Sequence, residues 1–192
     1  MLTNRTNDPA TPTVIDAGDV ERLPWRNGLG STRELATGNT GWRLSLADIT
    51  TACAFSRFPG LWRWSTAVAG PPVEMVIGDR DAITVAGDVV VDYDGEAPVT
   101  ARPASGGVTH LLNLMTTMGT PARLTRARMD GPARVTAAAV AVFVLDGTLL
   151  VADQRATAGQ LMLLGDHDGL TLTGHDARCV IVEVPGSRVS RR

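Results

Sequence analysis

Trp42-Arg43-Leu44-Ser45-Leu46-Ala47 alternates apolar and polar residues without a break. Strict alternation is the signature of a half-buried strand, because successive side chains point to opposite faces. Trp42, Leu44 and Leu46 therefore share a core-facing side, and Arg43 and Ser45 share the other. The same period of two recurs along the chain, and no convincing helical stretch interrupts it.

The C-terminal half shows the rhythm most plainly. Arg134 to Leu145 is rich in Val and Ala and ends at Asp146-Gly147, a hairpin signal between apolar runs. Thr148 to Ala152 reads as the next strand. Gly159 precedes Gln160 to Leu164, then come Leu170 to Thr173, a turn at Gly174, and Cys179 to Val184. Short strands punctuated by Gly and Asp predict an all-β sandwich or barrel.

The middle of the chain repeats this order. Val68-Ala69-Gly70 matches Leu145-Asp146-Gly147, and Val73 to Ile77 matches Leu149 to Ala152. Val85-Ala86-Gly87-Asp88-Val89 matches Thr157-Ala158-Gly159-Gln160-Leu161. Gly95 to Val99 matches the turn near Gly169, and Val108 to Met115 matches Cys179 to Val184. A repeat this long predicts a duplicated β unit rather than a solenoid. A Gly-Asp turn before an apolar strand is typical of cupin barrels, so the expected architecture is a two-cupin (bicupin) arrangement of double-stranded β-helix barrels. Its parts are a loose tail over 1–13, an N-terminal half over 14–130 and a C-terminal half over 131–192.

Composition bounds the function. The 192 residues carry a formal charge of −2, a pI near 5.9 and a mean hydropathy of +0.05. That balance points away from nucleic acid and from anionic membrane surfaces. No apolar run approaches the roughly 20 residues that span a bilayer. Met1 to Thr13 lacks the apolar centre of a secretory signal, so a cytoplasmic location is expected. All 18 basic residues are arginine. Without lysine, Schiff-base chemistry and a standard Walker A loop are excluded. Cys53 and Cys179 are expected as buried free thiols.

No metal or other cofactor is expected. The three histidines, His110, His167 and His175, lack the His-x-His spacing of a metal cupin. Asp166, Asp168 and Asp176 beside them read as solvated loop residues. Gly-x-Ser-x-Gly is absent, and Cys53 has no base nearby in sequence. Asn27-Gly28-Leu29-Gly30-Ser31 lacks the third glycine of a dinucleotide fingerprint and reads as a tight turn.

The N-terminal segments resemble the HutD/Ves family. The matching pieces are Pro24-Trp25-Arg26-Asn27-Gly28, Gly30-Ser31-Thr32-Arg33-Glu34, Trp42 to Asp48, Phe55-Ser56-Arg57-Phe58-Pro59-Gly60 and Asn113-Leu114-Met115. Gly95 to Val99 also fits, and together they cover most of Leu23 to Met115. Trp62 stands where the family often has an acidic residue, and Leu111-Leu112 where it often has Asp-Phe. The resemblance implies a cupin barrel and a role linked to histidine utilisation, with formylglutamate or urocanate as candidate ligands and no firmly assigned enzyme activity.

The polar side chains inside these segments are the candidate binding residues: Asn27, Arg33, Glu34, Arg43, Ser45, Arg57 and Asn113, with Trp25 and Met115 as apolar walls. An arginine fork matches a carboxylate, and asparagine supplies both a donor and an acceptor. Arg33 and Glu34 are adjacent, so a regular strand sends them to opposite faces. Trp62 and Trp64 alternate around Arg63 and face one way. The expected function is metal-independent binding of a small anionic or polar metabolite in a sensing role. One alternative is an isomerase or hydrolase using Glu34 or a His as acid/base. Another is an interaction module, such as a homodimer, built on the Trp62/Trp64 strand.

Overall fold

The computed structural model describes residues 11–25 and 28–190. Among them the regular structure is entirely β. Among the described residues no helix is long and apolar enough to cross a membrane.

The strands are β1 (Thr13–Asp16), β2 (Leu23–Pro24), β3 (Gly30–Gly38), β4 (Arg43–Ile49), β5 (Cys53–Ala54), β6 (Leu61–Ala69), β7 (Val73–Ile77), β8 (Ile83–Val85) and β9 (Val91–Asp94). They continue as β10 (Val99–Pro103), β11 (Thr109–Thr117), β12 (Arg123–Val135), β13 (Ala139–Val151), β14 (Gln154–Thr157), β15 (Gln160–Leu163), β16 (Leu170–Glu183) and β17 (Val189–Ser190). Of the expected tail, residues 1–10 lie outside the described residues and Thr13 belongs to β1. The boundary expected at residue 130 falls inside β12.

Three sheets result. The first runs β1-β15-β13-β16-β12, with β14 on β13; the second runs β5-β10-β7-β8; the third runs β17-β3-β4-β11-β6-β9, with β2 on β3. Strand pairing follows one scheme twice. The order β9-β6-β11-β4 in the third sheet has its counterpart in β15-β13-β16-β12 of the first. The order β8-β7-β10-β5 of the second sheet is repeated by β14 and the far ends of β13, β16 and β12. In the N-terminal residues each long path is broken into two strands; in the C-terminal residues it stays one bent strand.

The bend explains two departures from the sequence reading. Asp146-Gly147 does not reverse the chain, and Gly174 does not form a turn: both lie within continuous strands, β13 and β16. The ladder between these strands shifts register around Asp146 instead, as a β-bulge does. Gly147 has φ +71, and a Cβ there would stand 2.2 Å from the Asp176 carbonyl oxygen. The glycine serves a close backbone crossing. The reversal comes later, after Val151, where Ala152 takes a positive φ of 49. Arg134 to Leu145 likewise divides, because β12 ends at Val135 and β13 begins at Ala139. Gly70 is the counterpart of Gly147, with φ +86 and a would-be Cβ only 1.9 Å from the Val108 carbonyl oxygen.

Three apolar cores follow from the alternation. Trp42, Leu44, Leu46, Leu112 and Leu114 on the third sheet pack against Leu124, Phe143, Val180 and Val182 of the first. The Trp42 indole N–H donates to the Ser187 hydroxyl, so its polar edge is satisfied. A second core lies within the first sheet, and a third, including Met75, Tyr93 and Leu111, lies between the second and third sheets. Each fully buried leucine contributes about 1.5–3 kcal/mol.

Cys53 and Cys179 are free and buried, and burial pushes both thiols up to about 11. Thiols protonate below their pKa, so at pH 8 only on the order of one in a thousand is thiolate. Both are expected to resist Ellman's reagent at pH 8 until denaturant is added, read by absorbance. Gly70→Ala is expected to lower the unfolding free energy by about 2–3 kcal/mol, from strain plus the backbone clash. Urea denaturation measures it, with Gly87→Ala, which meets nothing within 4 Å, as the milder control.

Candidate functional site

Two rows of side chains cross the third sheet on the face turned toward the second. Cross-strand pairing aligns Arg43 with Met115, Met115 with Arg63, and Arg63 with Tyr93. One step along, Glu34 pairs with Ser45, Ser45 with Asn113, and Asn113 with Ser65. Residues directly opposite on neighbouring strands share a face, so guanidinium, carboxylate, hydroxyl and carboxamide groups converge from β3, β4, β11 and β6.

These rows floor a cavity of about 700 Å³, within the range of small-molecule sites. Its walls come from irregular chain. Phe55, Ser56 and Phe58 lie between β5 and β6, and Leu23, Pro24 and Trp25 come from β2 and its exit. Trp25 meets Phe55 edge-on, with centroids 5.7 Å apart, and its indole N–H donates to Thr32 Oγ1 at 2.7 Å.

Arg63 dominates the electrostatics. Its side chain is 4% exposed, yet no carboxylate lies within 4 Å of it among the described residues. Its Cζ stands 5.2 Å from the Phe55 ring centroid, 5.5 Å from Phe58 and 5.2 Å from Tyr93. Nη1 donates a long 3.4 Å hydrogen bond to the Ser56 carbonyl, and buried Nε has no acceptor. Aromatic faces attract the cation through their quadrupoles but accept few hydrogen bonds. Burial drives the guanidinium pKa below its ordinary value; Tyr93 opposes that shift and Arg43 adds to it. Burial raises the Tyr93 phenol, against the pull of Arg63 and of the Ser65 hydrogen bond.

Arg43 sits on the other side of Met115. Its Nη1 is 3.9 Å from Glu34 Oε2, its Nη2 lies 3.3 Å from Met115 Sδ, and its Cζ is 5.5 Å from the Phe58 centroid. Beneath Arg63 a directed chain fixes Asn113. Ser65 Oγ donates to Asn113 Oδ1 at 2.7 Å, which spends its one proton, so the Tyr93 hydroxyl 3.0 Å away donates to Ser65. Asn113 Nδ2 donates to the Leu111 carbonyl at 3.0 Å and keeps a second N–H.

Of the sequence candidates, Trp25, Glu34, Arg43, Ser45, Asn113 and Met115 line this cavity. Asn27 lies outside the described residues. Arg33 points to the opposite face and bonds Asp48, as its position next to Glu34 requires. Arg57 is exposed and takes no part in the lining. The structure adds Arg63, Phe55, Phe58, Ser65 and Tyr93 to the candidates that the sequence offers. The signal for Arg63 was present: Trp64 packs on the core against the first sheet, so its alternating neighbour faces the cavity. Trp62 donates its indole N–H to Asp92 at 3.1 Å.

Among the described residues no group of three or more His, Cys, Asp and Glu is placed to hold a metal ion. His110 Nδ1 lies 2.7 Å from Asp48 Oδ1. His167 donates from Nε2 to the Ala139 carbonyl and accepts at Nδ1 from the Gly169 amide. His175 lies exposed on β16 rather than in a turn.

The profile of the HutD family matches residues 17–186. The chain belongs to the HutD family. A relative from Pseudomonas putida, an uncharacterized 21.2 kDa protein in the hutC 3' region, is 30% identical over 173 residues, covering 85% of this chain and 87% of its own. The structure of HutD from Pseudomonas fluorescens SBW25 (formate condition) superposes with a TM-score of 0.73 at 26% identity, covering 95% of this chain and all of that one. The Escherichia coli protein Ylba, at 7% identity, shares the fold alone, with a TM-score of 0.74 over 95% of each chain. The HutD-family chain is thus a cupin-like β-barrel protein.

Ser65→Ala is expected to cost about 1–3 kcal/mol, because it strands a buried carboxamide oxygen and removes the acceptor of the Tyr93 hydroxyl. The urea midpoint measures the loss. An unchanged midpoint contradicts the hydrogen-bond chain.

Proposed function

We propose that this HutD-family protein is a two-cupin binding protein that holds a small carboxylate metabolite between Arg63 and Arg43, in a sensing role linked to histidine utilisation. The two-cupin reading is supported by the pairing scheme that occurs twice and by the matching close crossings at Gly70 and Gly147. The pathway link is supported by the P. putida relative, whose name places it in the hutC 3' region. Work in the cytoplasm accords with that link.

The observation that carries the binding reading is Arg63: a buried cation lining the cavity, with no carboxylate within 4 Å of it among the described residues. Removing a charge from water is costly unless a partner replaces the lost solvation. The aromatic cage recovers part of that cost, and an incoming carboxylate recovers more. Arg43, steered by Glu34, offers a second set of donors across Met115, and Asn113 presents an oriented N–H. Trp25, Phe55 and Phe58 close over the ligand and strengthen the charge pairing by excluding water.

Isothermal titration with N-formyl-L-glutamate and with urocanate tests the reading, with acetate as a minimal carboxylate. At least one metabolite is expected to bind, and Arg63→Gln is expected to weaken it by about 10- to 100-fold, the equivalent of one charged hydrogen-bonded contact. Circular dichroism checks that the variant folds. Absence of binding by the wild type, or full binding by Arg63→Gln, overturns the assignment. Mass spectrometry of the same mixtures separates binding from turnover, since a product places Glu34 under test as acid/base.

A further inference from the structure

The face of the third sheet turned away from the cavity carries a second polar cluster, centred on Asp48. Its Oδ1 accepts from Arg33 Nη1 at 2.9 Å and lies 2.7 Å from His110 Nδ1. Its Oδ2 accepts from Ser31 Oγ at 3.1 Å and lies 3.5 Å from Arg22 Nε. Two guanidiniums therefore share one carboxylate, and the cluster keeps positive charge. Arg33 is only 3% exposed and makes a single hydrogen bond; its buried Nε finds no acceptor among the described residues. A fork of five donors is far from satisfied by one oxygen.

Arg33 lines a separate cleft of about 450 Å³ between the third and first sheets. Arg22 and His110 stand with it at a polar end. Leu46, Val68, Phe143 and Leu145 form apolar walls, and exposed Ala158 lies at the rim. Asp16 also reaches this cleft, but its oxygens are taken by the Gly18 amide and by Gln160 Nε2. An apolar slot ending in an under-satisfied guanidinium selects for one ligand chemistry. We infer that this cleft is a second ligand site, for a small amphipathic monoanion. Its carboxylate meets Arg33 and Arg22, and its short apolar or aromatic body lies against Phe143 and Leu145. Around Asp48 the two guanidiniums leave one net positive charge, and the Asp16 carboxylate at the same cleft offsets it, so a monoanion held by the Arg33 and Arg22 donors is favoured over a phosphate dianion.

The site is independent of the first cavity, because it uses the opposite face of the sheet and takes walls from the first sheet. It does not depend on what the first cavity binds. The probe is 3-phenylpropionate, titrated calorimetrically into the wild type and into Arg63→Gln. Binding is expected in both proteins. The uncharged isostere 3-phenylpropan-1-ol is expected not to bind. Arg33→Gln is expected to weaken the probe at least about tenfold. Because Arg33 is buried and paired, Arg22→Gln and Ala158→Trp provide exposed substitutions that keep the fold. The first weakens binding, and the second closes the rim and abolishes it. Lack of binding by the wild type overturns the inference. So does binding that persists in Ala158→Trp, or binding lost in Arg63→Gln, which would put the probe in the first cavity.

Discussion

The period-two alternation of β4, β11 and β6 is the constraint from which both sides of the molecule follow. Trp42, Leu44, Leu46, Leu112, Leu114 and Trp64 commit one face of the third sheet to the core against the first. Every intervening residue must then face the second sheet. A slip of one residue would drive Arg43 and Arg63 into that apolar core and turn the leucines out, an exchange far too costly to be sampled. The register that builds the core also aims the polar rows of the candidate site.

The fold solves the problem of a buried guanidinium in two ways. Arg33 is held by a carboxylate, with Asp48 on the next strand. Arg63 stands among three aromatic rings, with no carboxylate within 4 Å among the described residues. The first arrangement ties β3 to β4 and still leaves the buried Arg33 Nε without an acceptor among the described residues. The second leaves the cation's hydrogen-bonding capacity open toward the cavity, and the rings keep water from filling it cheaply. The same residue type thus meets a carboxylate on one face of the third sheet and an aromatic cage on the other.

Much of this could be read from residues alone. The alternation around Trp42 named the correct faces, the match of Val68-Ala69-Gly70 to Leu145-Asp146-Gly147 aligned two equivalent crossings, and the HutD-like segments delivered most of the cavity floor. The failures share a cause. Asp146-Gly147 has the residues of a hairpin, but a second strand crossing within van der Waals distance needs a glycine just as much, and composition does not separate the two demands. Arg57 sits in a family-like segment yet points outward, because the Phe55 to Gly60 stretch is irregular and period arguments lapse there. Tyr93 lies on a strand distant in sequence, and only the β6–β9 pairing brings its ring under Arg63.

The long-range pairings of β1 and β17 shape how the chain reaches this state. β1, at residues 13–16, pairs with residues 160–163, and β17 pairs with Thr37 and Gly38 on β3. During synthesis β1 leaves the ribosome well before its partner β15, with most of the other strands made in between. The third sheet likewise waits for β17 to cover the β3 edge. Closing such long loops is slow. The nascent chain therefore carries these strand edges unpaired until β15 and β17 have both emerged.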